Sequence, residues 1–366
     1  MREFTFLPTE EYVKPIGRTV MTEGIRVLSL SGSGVEFAYE GTGLTVTFHG
    51  DSSTATEQGQ PLSWRDLARV AVFVDGRKQL DTLIKRPEES YRVWGENETE
   101  AKEHIVRIVK LSEPRMSCVG LGTITVLADD NGTTPVRPTD RKAVLGFIGD
   151  SITCGYGVDG ESEWIPFSTS TENVTRAYSY LTAELLDMEA DIVSYSGHGL
   201  ISGYTPDPQT PTLTELVQPY YEIFAYSYNT FRGKPVSELG WSIGEEPDPE
   251  ILVINLGTND DSYIQDDAGK RVAYEEAYLA FLAQVHACHP ASKLVCAFGL
   301  MGDRLYEAQV RVVDRFKAQT GYTDVFNVRL TPQNGERDGY GCDWHPSAVT
   351  QRRAAGELAA FLKMLR

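Results

Sequence analysis

The run Ala143-Val-Leu-Gly-Phe-Ile-Gly-Asp-Ser-Ile-Thr-Cys-Gly-Tyr-Gly157 decides how the chain is read. Residues 143–148 are apolar or glycine, a run too short for a buried helix and suited to a strand covered on both faces. Gly149-Asp150-Ser151 breaks the run, and a strand-to-helix turn is expected at Ser151. The same pattern recurs downstream. The spacing predicts strands at 191–195, 251–256, 293–297 and 325–328. It predicts helices at 178–187, 273–289, 305–320 and 347–365, the last opened by Ser347. Strands alternating with helices imply a parallel sheet in a three-layer α/β/α domain, here residues 139–366.

Upstream the period is two. Val35-Glu-Phe-Ala-Tyr39 and Leu44-Thr-Val-Thr-Phe48 alternate apolar and polar residues. The apolar run 71–74 enters Asp75-Gly76, a hairpin signal because glycine accepts positive φ without steric cost. Further apolar runs at 25–30, 105–111 and 123–127 are punctuated by glycine-rich turns. An all-β, jelly-roll-like sandwich over residues 1–138 is expected. The polar, proline-containing stretch 131–141 reads as a linker. Residues 202–249, rich in proline and tyrosine, read as a long insertion of functional significance.

The length of 366 residues suits two domains. With 34 basic and 52 acidic residues the net charge is −18, which argues against nucleic-acid and anionic-membrane partners. No apolar run approaches the ~18 residues of a membrane span. The first residues carry no basic region followed by an apolar stretch, and five cysteines without a C-x-x-C pair suit reduced thiols. A cytoplasmic location is therefore expected.

In a parallel sheet, ligands bind beyond the carboxyl ends of the strands. Four segments fall there: Gly149-Asp150-Ser151-Ile152, Ser196-Gly197-His198-Gly199, Gly257-Thr258-Asn259-Asp260 and Asp343-Trp344-His345-Pro346. Acyl transfer needs this set. A serine hydroxyl, Ser151, becomes a nucleophile when an imidazole, His345, takes its proton. The imidazole needs an orienting partner, for which Asp343 is the candidate. The oxyanion needs N–H donors, available from the Ser151 and Gly197 amides and the Asn259 side chain. Gly199 is a rival to Gly197. Asp343 lies two residues before His345, and Cys342 three before. Two arrangements stay open: a Ser–His–Asp triad, or a dyad in which a backbone carbonyl holds His345.

The order of these motifs resembles the SGNH (GDSL-type) hydrolase superfamily. The segments 149–157 and Cys342-Asp-Trp-His-Pro346, with Lys14-Pro-Ile-Gly-Arg18 and Ser31-Gly-Ser-Gly-Val-Glu-Phe37 upstream, are similar to carbohydrate esterase family 2. That resemblance spans most of the chain. It implies a cofactor-free serine esterase that removes O-acetyl groups from xylan-, mannan- or glucan-derived saccharides through an acetyl-serine intermediate. It implies Ser151 as nucleophile, His345 as base, Gly197 and Asn259 as oxyanion donors, and Tyr204 and Trp344 at the sugar site. Most SGNH enzymes place the acid three residues before the histidine, where this chain has Cys342. Another short-chain acyl esterase or lipase of the superfamily, or a carbohydrate-binding protein, are the competing readings. Association into a homo-oligomer is left open.

The remaining polar residues have simpler readings. Asp150 is expected to brace the turn, Asp260 and Asp261 to be solvated or capping, and His198 to lie near the cleft without acting as base. Cys154 is expected to pack in the first helical turn. His286 and His289, beside Cys288, form H-x-x-H at a helix end, without further ligands at a recognisable spacing, so no metal is expected. The tyrosines of 220–228 are candidates for a cleft wall or a subunit contact.

Overall fold

The computed structural model describes every residue except 55, 58–59, 62–65, 96–100 and 131–133. The chain forms two compact units. The first comprises residues 1–142 with 168–170 and 224–241, and the second residues 143–167, 171–223 and 242–366.

The first unit is a sandwich of two six-stranded antiparallel sheets. One runs Glu89–Trp94, Gly43–Gly50, Val119–Ala128, Ile25–Leu28, Thr19–Thr22, with Arg2–Phe6 added to Val119–Ala128. The other runs Arg77–Leu83, Arg69–Val74, Lys102–Lys110, Gly34–Gly41, Val136–Pro138, with Lys14–Ile16 added to Gly34–Gly41. Alternation sends Leu44, Val46 and Phe48 inward while Thr45 and Thr47 stay half-buried. The inward chains meet Phe37, Val72 and Ile108 of the facing sheet in one core. The hairpin at Asp75-Gly76 forms as expected, with both residues in the left-handed region at φ of 50° and 74°.

Two expectations change. The stretch 131–141 is not simply a linker, because Val136–Pro138 pairs antiparallel with Phe37–Tyr39; of that stretch, 131–133 lie outside the described residues. The division between units therefore falls after Lys142. Likewise, part of the 202–249 insertion belongs to the first unit. Phe231 is fully buried there, Asn229 Nδ2 donates to the Met116 carbonyl at 2.6 Å, and the Tyr228 amide donates to the Arg115 carbonyl. These contacts are made by loop backbone and single side chains, which leave no periodic trace in sequence.

The second unit is built on five parallel strands: β1 (Val144–Gly149), β2 (Glu189–Ser194), β3 (Ile251–Asn255), β4 (Lys293–Gly299) and β5 (Val325–Leu330), in the order β2-β1-β3-β4-β5. The chain moves from β1 to β2 on one side and then to β3 on the other. That reversal opens a crevice at the carboxyl ends of β1 and β3. The register sets Gly149 of β1 opposite Ser194 of β2 and Asn255 of β3. The loops after these three strands therefore leave the sheet at one level.

Among the helices, Tyr178–Leu185 packs on Ala348–Leu362, and Ala268–Cys288 on Tyr306–Thr320. The helix expected from 273 begins at Ala268 because Asp267 caps it, accepting from the Lys270 amide at 3.0 Å. Ser347 caps the last helix as expected, through the Thr350 amide.

One half-buried carboxylate ties the edge of the sandwich together. Glu36 accepts from Lys14 Nζ and Arg107 Nε, at 2.9 and 2.8 Å, and from the Thr139 hydroxyl at 2.7 Å. Burial opposes its charge, but Arg107, Thr139 and Lys14 outweigh burial and hold the carboxyl at about 2, below its ordinary 4.5. A depressed carboxyl stabilises the fold above its unfolded pKa, and that stability is lost as pH falls toward the folded value. Glu36→Gln is expected to unfold more readily than wild type near neutral pH. With solvent screening of a partly exposed group allowed for, the difference in unfolding free energy should shrink by on the order of 1 kcal/mol between about pH 6 and pH 2.5 in urea titrations. A difference independent of pH would show that the Glu36 charge contributes nothing.

Candidate active site

The site begins where β1 ends. Asp150 stays extended and its side chain accepts from the Ile152 amide at 3.0 Å, so the chain turns directly into the short helix Ser151–Cys154. Ser151 stands at the start of that turn, 6% exposed. Asp150 thus braces the turn that carries Ser151, as its sequence position suggested. Cys154 is fully buried, its Sγ 3.5 Å from the Ser151 carbonyl and from Ser196 Oγ.

After β2 the backbone turns at Gly197, whose φ of 78° is one that residues bearing a Cβ rarely adopt. The Tyr204 amide donates to the Gly197 carbonyl at 2.8 Å, which anchors Tyr204 beside this turn with its side chain 60% exposed. The rival Gly199 has its N–H committed to the Glu215 carbonyl at 3.1 Å. His198 is buried, with Nδ1 3.0 Å from the Ser196 carbonyl and its ring against Tyr195 and Tyr220.

After β3, the helix Thr258–Ile264 presents Asn259. Its Nδ2 donates to the His198 carbonyl at 2.8 Å and lies 3.3 Å from Asp150 Oδ2. One amide group therefore links the loops that leave all three strands. Asp260, expected to be solvated or capping, is fully buried. Its carboxylate accepts from the amides of Leu200, Ile201 and Ser202 and so clamps the loop that follows Gly197. Burial raises its pKa to about 6 against the pull of those amides. Asp261 pairs with Arg304 at 3.0 Å.

His345 comes from the loop before the final helix. The Cys342 amide donates to the Gly157 carbonyl at 3.0 Å, and a Cβ on Gly157 would lie 2.5 Å from Cys342 Cβ. Glycine at 157 is what lets the histidine loop come this close to the serine turn. His345 Nε2 then lies 2.9 Å from Ser151 Oγ.

The partner of Nδ1 is the Asp343 main-chain carbonyl, at 3.0 Å. The Asp343 carboxylate accepts instead from the Tyr156 hydroxyl at 2.7 Å and the Phe167 amide at 3.1 Å. This corrects the expectation that the carboxylate orients His345: Asp343 orients it through the backbone. The cause is local. Asp343 and Trp344 both adopt left-handed conformations, φ 48° and 63°, a turn that folds the carbonyl back onto the imidazole two residues on. A carbonyl only accepts, so the proton resides on Nδ1 and Nε2 is left to accept from the serine hydroxyl. The ring plane is held by Tyr156, stacked on His345 at 4.0 Å and on Phe167 at 4.2 Å. Burial pushes His345 down to about 4, while the carbonyl and carboxylate of Asp343 pull the other way. The imidazole is therefore neutral at pH 7 and able to act as a base.

Trp344 is 45% exposed and meets the indole of Trp164 edge-on at 5.1 Å. Of the seven residues singled out in sequence, Ser151, His345 and Asp343 meet through direct hydrogen bonds. Gly197 and Asn259 border them on the adjoining loops, and Tyr204 and Trp344 carry exposed rings next to Gly197 and His345. Sequence reasoning missed Tyr156 and Phe167. Tyr156 had a signal, since it sits between Gly155 and Gly157, both left-handed; Phe167 had none. The H-x-x-H pair separates: His289 Nδ1 lies 2.8 Å from Asp248, and His286 stacks against Tyr322. None of the five cysteines is in a disulfide.

Two family models and several known proteins match the chain. Residues 147–353 match the GDSL-like lipase/acylhydrolase family, and residues 15–135 match the carbohydrate esterase 2 N-terminal domain. The cellulase/esterase CelE of Acetivibrio thermocellus is 29% identical over 339 residues, 90% of this chain; the chain spans only 38% of that protein's length. An acetylxylan esterase/glucomannan deacetylase of Cellvibrio japonicus is 26% identical over 99% of this chain and 91% of its own. The solved structure of a family two carbohydrate esterase from Clostridium thermocellum in complex with cellohexaose matches with a TM-score of 0.78 and 25% identity, covering 96% of this chain and 98% of that one. The catalytic-unit match alone runs over more than half of the chain and encloses every residue from Ser151 to His345, so the chain belongs to the GDSL-like lipase/acylhydrolase family and carries the carbohydrate esterase 2 N-terminal domain ahead of it.

Proposed function

We propose that the protein is a serine esterase that removes O-acetyl groups from acetylated plant-wall saccharides, derived from xylan, mannan or glucan. The observation that carries this reading is the 2.9 Å contact between Ser151 Oγ and a neutral His345 whose Nδ1 proton is held by a carbonyl. The names of the relatives, acetylxylan esterase/glucomannan deacetylase and cellulase/esterase, support a saccharide ester as substrate.

Ser151 Oγ attacks the acetyl carbonyl as His345 Nε2 takes its proton. The developing oxyanion is met by the Ser151 and Gly197 amides and by Asn259. Asn259 has two Nδ2 hydrogens. One is committed to His198 at 2.8 Å, and the other makes the longer contact to Asp150, which an oxyanion replaces. His345 then returns its proton to the departing sugar hydroxyl. Water, deprotonated by the same imidazole, attacks the acetyl-serine; the bond to Ser151 Oγ breaks, Oγ takes the proton back from His345, and acetate leaves. The exposed rings of Tyr204 and Trp344 offer apolar faces on which the pyranose carrying the ester can stack.

Acetate release from acetylated xylo-, manno- and gluco-oligosaccharides tests the proposal. Wild type should release acetate, and Ser151→Ala should lose at least about 10⁴-fold in kcat. Asn259→Ala should cost about 10²–10³-fold. No acetate from any sugar ester would overturn the reading.

The carbonyl-held imidazole makes a separate prediction. Asp343→Asn keeps an acceptor oxygen for Tyr156 and Phe167 and leaves the Nδ1 partner unchanged, so kcat should fall less than about tenfold. The same substitution costs about 10⁴-fold where a carboxylate holds the base. A loss of that larger size would show that the carboxylate, not the carbonyl, orients His345. Because His345 must be neutral to act, kcat/KM should stay level from about pH 8 down to about pH 5. It should then fall roughly tenfold per pH unit below about 4.

A further inference from the structure

We propose that Trp164 and the polar cleft beside it form a second subsite, which holds another neutral sugar ring of an acetylated oligosaccharide; this rests on the esterase reading above. Trp164 is 75% exposed, and the turn that presents it is ordered, its amide donating to Ser162 Oγ at 3.2 Å and the Ile165 amide to the Ser162 carbonyl. The same segment is tied to the histidine loop by the Phe167 amide on the Asp343 carboxylate. Trp164 is thus a large apolar surface that the fold places in water rather than in the core.

Its neighbours indicate what covers it. The Trp164 ring meets Trp344 edge-on at 5.1 Å and 79°, and Trp344 meets Tyr340 at 5.2 Å and 61°. The three rings form a continuous series that passes Trp344, the residue before His345. Alongside lies a cleft of about 540 Å³ lined by Glu163, Gln333, Asn334, Glu336 and Tyr340. That volume falls within the roughly 300–1,000 Å³ of small-molecule sites. The cleft wall is joined to the catalytic loop: Gln333 Nε2 donates to the Trp344 carbonyl at 2.9 Å, and the Gly341 amide to the His345 carbonyl at 2.8 Å.

The chemistry selects a neutral polyol. The described residues lining the cleft include two carboxylates, a phenol and two amides, of which Gln333 Nε2 and Asn334 Oδ1 are engaged within the protein, and no cationic side chain, so an anionic ligand gains nothing there. Sugar hydroxyls donate to carboxylates and exchange bonds with amides, and the C–H face of a pyranose stacks on an exposed ring. Aromatic faces beside uncharged and acidic acceptors therefore fit a saccharide that extends beyond the acetylated residue.

The test compares chain lengths. The kcat/KM ratio of an acetylated tetrasaccharide to an acetylated methyl monosaccharide is measured in the xylose and mannose series for wild type, Trp164→Ala and Trp164→Tyr. The ratio should fall about tenfold in Trp164→Ala, mainly through KM, and largely recover in Trp164→Tyr, the monosaccharide rate serving as the control for folding. A ratio that Trp164→Ala leaves unchanged in both series overturns the subsite while leaving the esterase reading intact. Binding of the unacetylated tetrasaccharides, by calorimetry, separates the two ideas. If wild type releases no acetate from sugar esters, the esterase reading fails, and weaker tetrasaccharide binding by Trp164→Ala still supports the subsite. Equal binding by wild type and Trp164→Ala overturns it.

Discussion

The hydrogen bond between His345 Nε2 and Ser151 Oγ joins two residues 194 positions apart at 2.9 Å, and the catalytic unit is arranged around the closeness it requires. Neither residue lies in the sheet, so the distance is set by how their two loops meet. The serine turn is fixed to the end of β1 by the Asp150 cap. The histidine loop is fixed to the serine turn at Gly157, where the carbonyl accepts from Cys342 and there is no room for a side chain. A methyl group at 157 would meet Cys342 Cβ at 2.5 Å and Cys342 N at 2.9 Å, so one of the two segments would have to shift.

The carbonyl partner of Nδ1 gives the imidazole a particular character. A carbonyl holds a neutral imidazole in the required tautomer without placing a second charge directly on the ring. It stabilises the imidazolium less than a carboxylate does, since hydrogen bonds between charged groups are the stronger ones. Ring orientation is instead secured by stacking on Tyr156, itself stacked on Phe167 and fixed by the Asp343 carboxylate. The acid thus serves the imidazole twice, through its carbonyl and through the tyrosine it anchors.

Around the Ser151 turn, polar groups are held in place by the fold itself. Asn259 links Asp150 with the His198 carbonyl, and Asp260 clamps the loop after Gly197 through three amides. In the proposed reaction, donors oriented in this way need no reorganisation as charge develops. Burying Asp260 opposes its ionisation, and the three amides are what keep its charged form within reach at neutral pH.

Much of this was legible in the sequence because it depends on short-range chemistry. The change of period from two to helical spacing marked the two units. The Asp75-Gly76 turn, the Ser347 cap and the strand ends carrying Ser151, Gly197 and Asn259 follow from backbone preferences of single residues and their neighbours. In a parallel sheet those strand ends meet at one edge, so their grouping was legible too. What tertiary structure alone decided is where side chains point once distant segments touch. Asp343 and His345 were both found, but which oxygen of Asp343 faces Nδ1 depends on a left-handed turn that packing against Gly157 and Tyr156 sustains. Val136–Pro138 as a strand, residues 224–241 as part of the sandwich, the burial of Asp260 and the placing of Trp164 against Trp344 share that cause: each is set by a partner far away in the chain, and hydrophobic periodicity records only which face is buried, not against what.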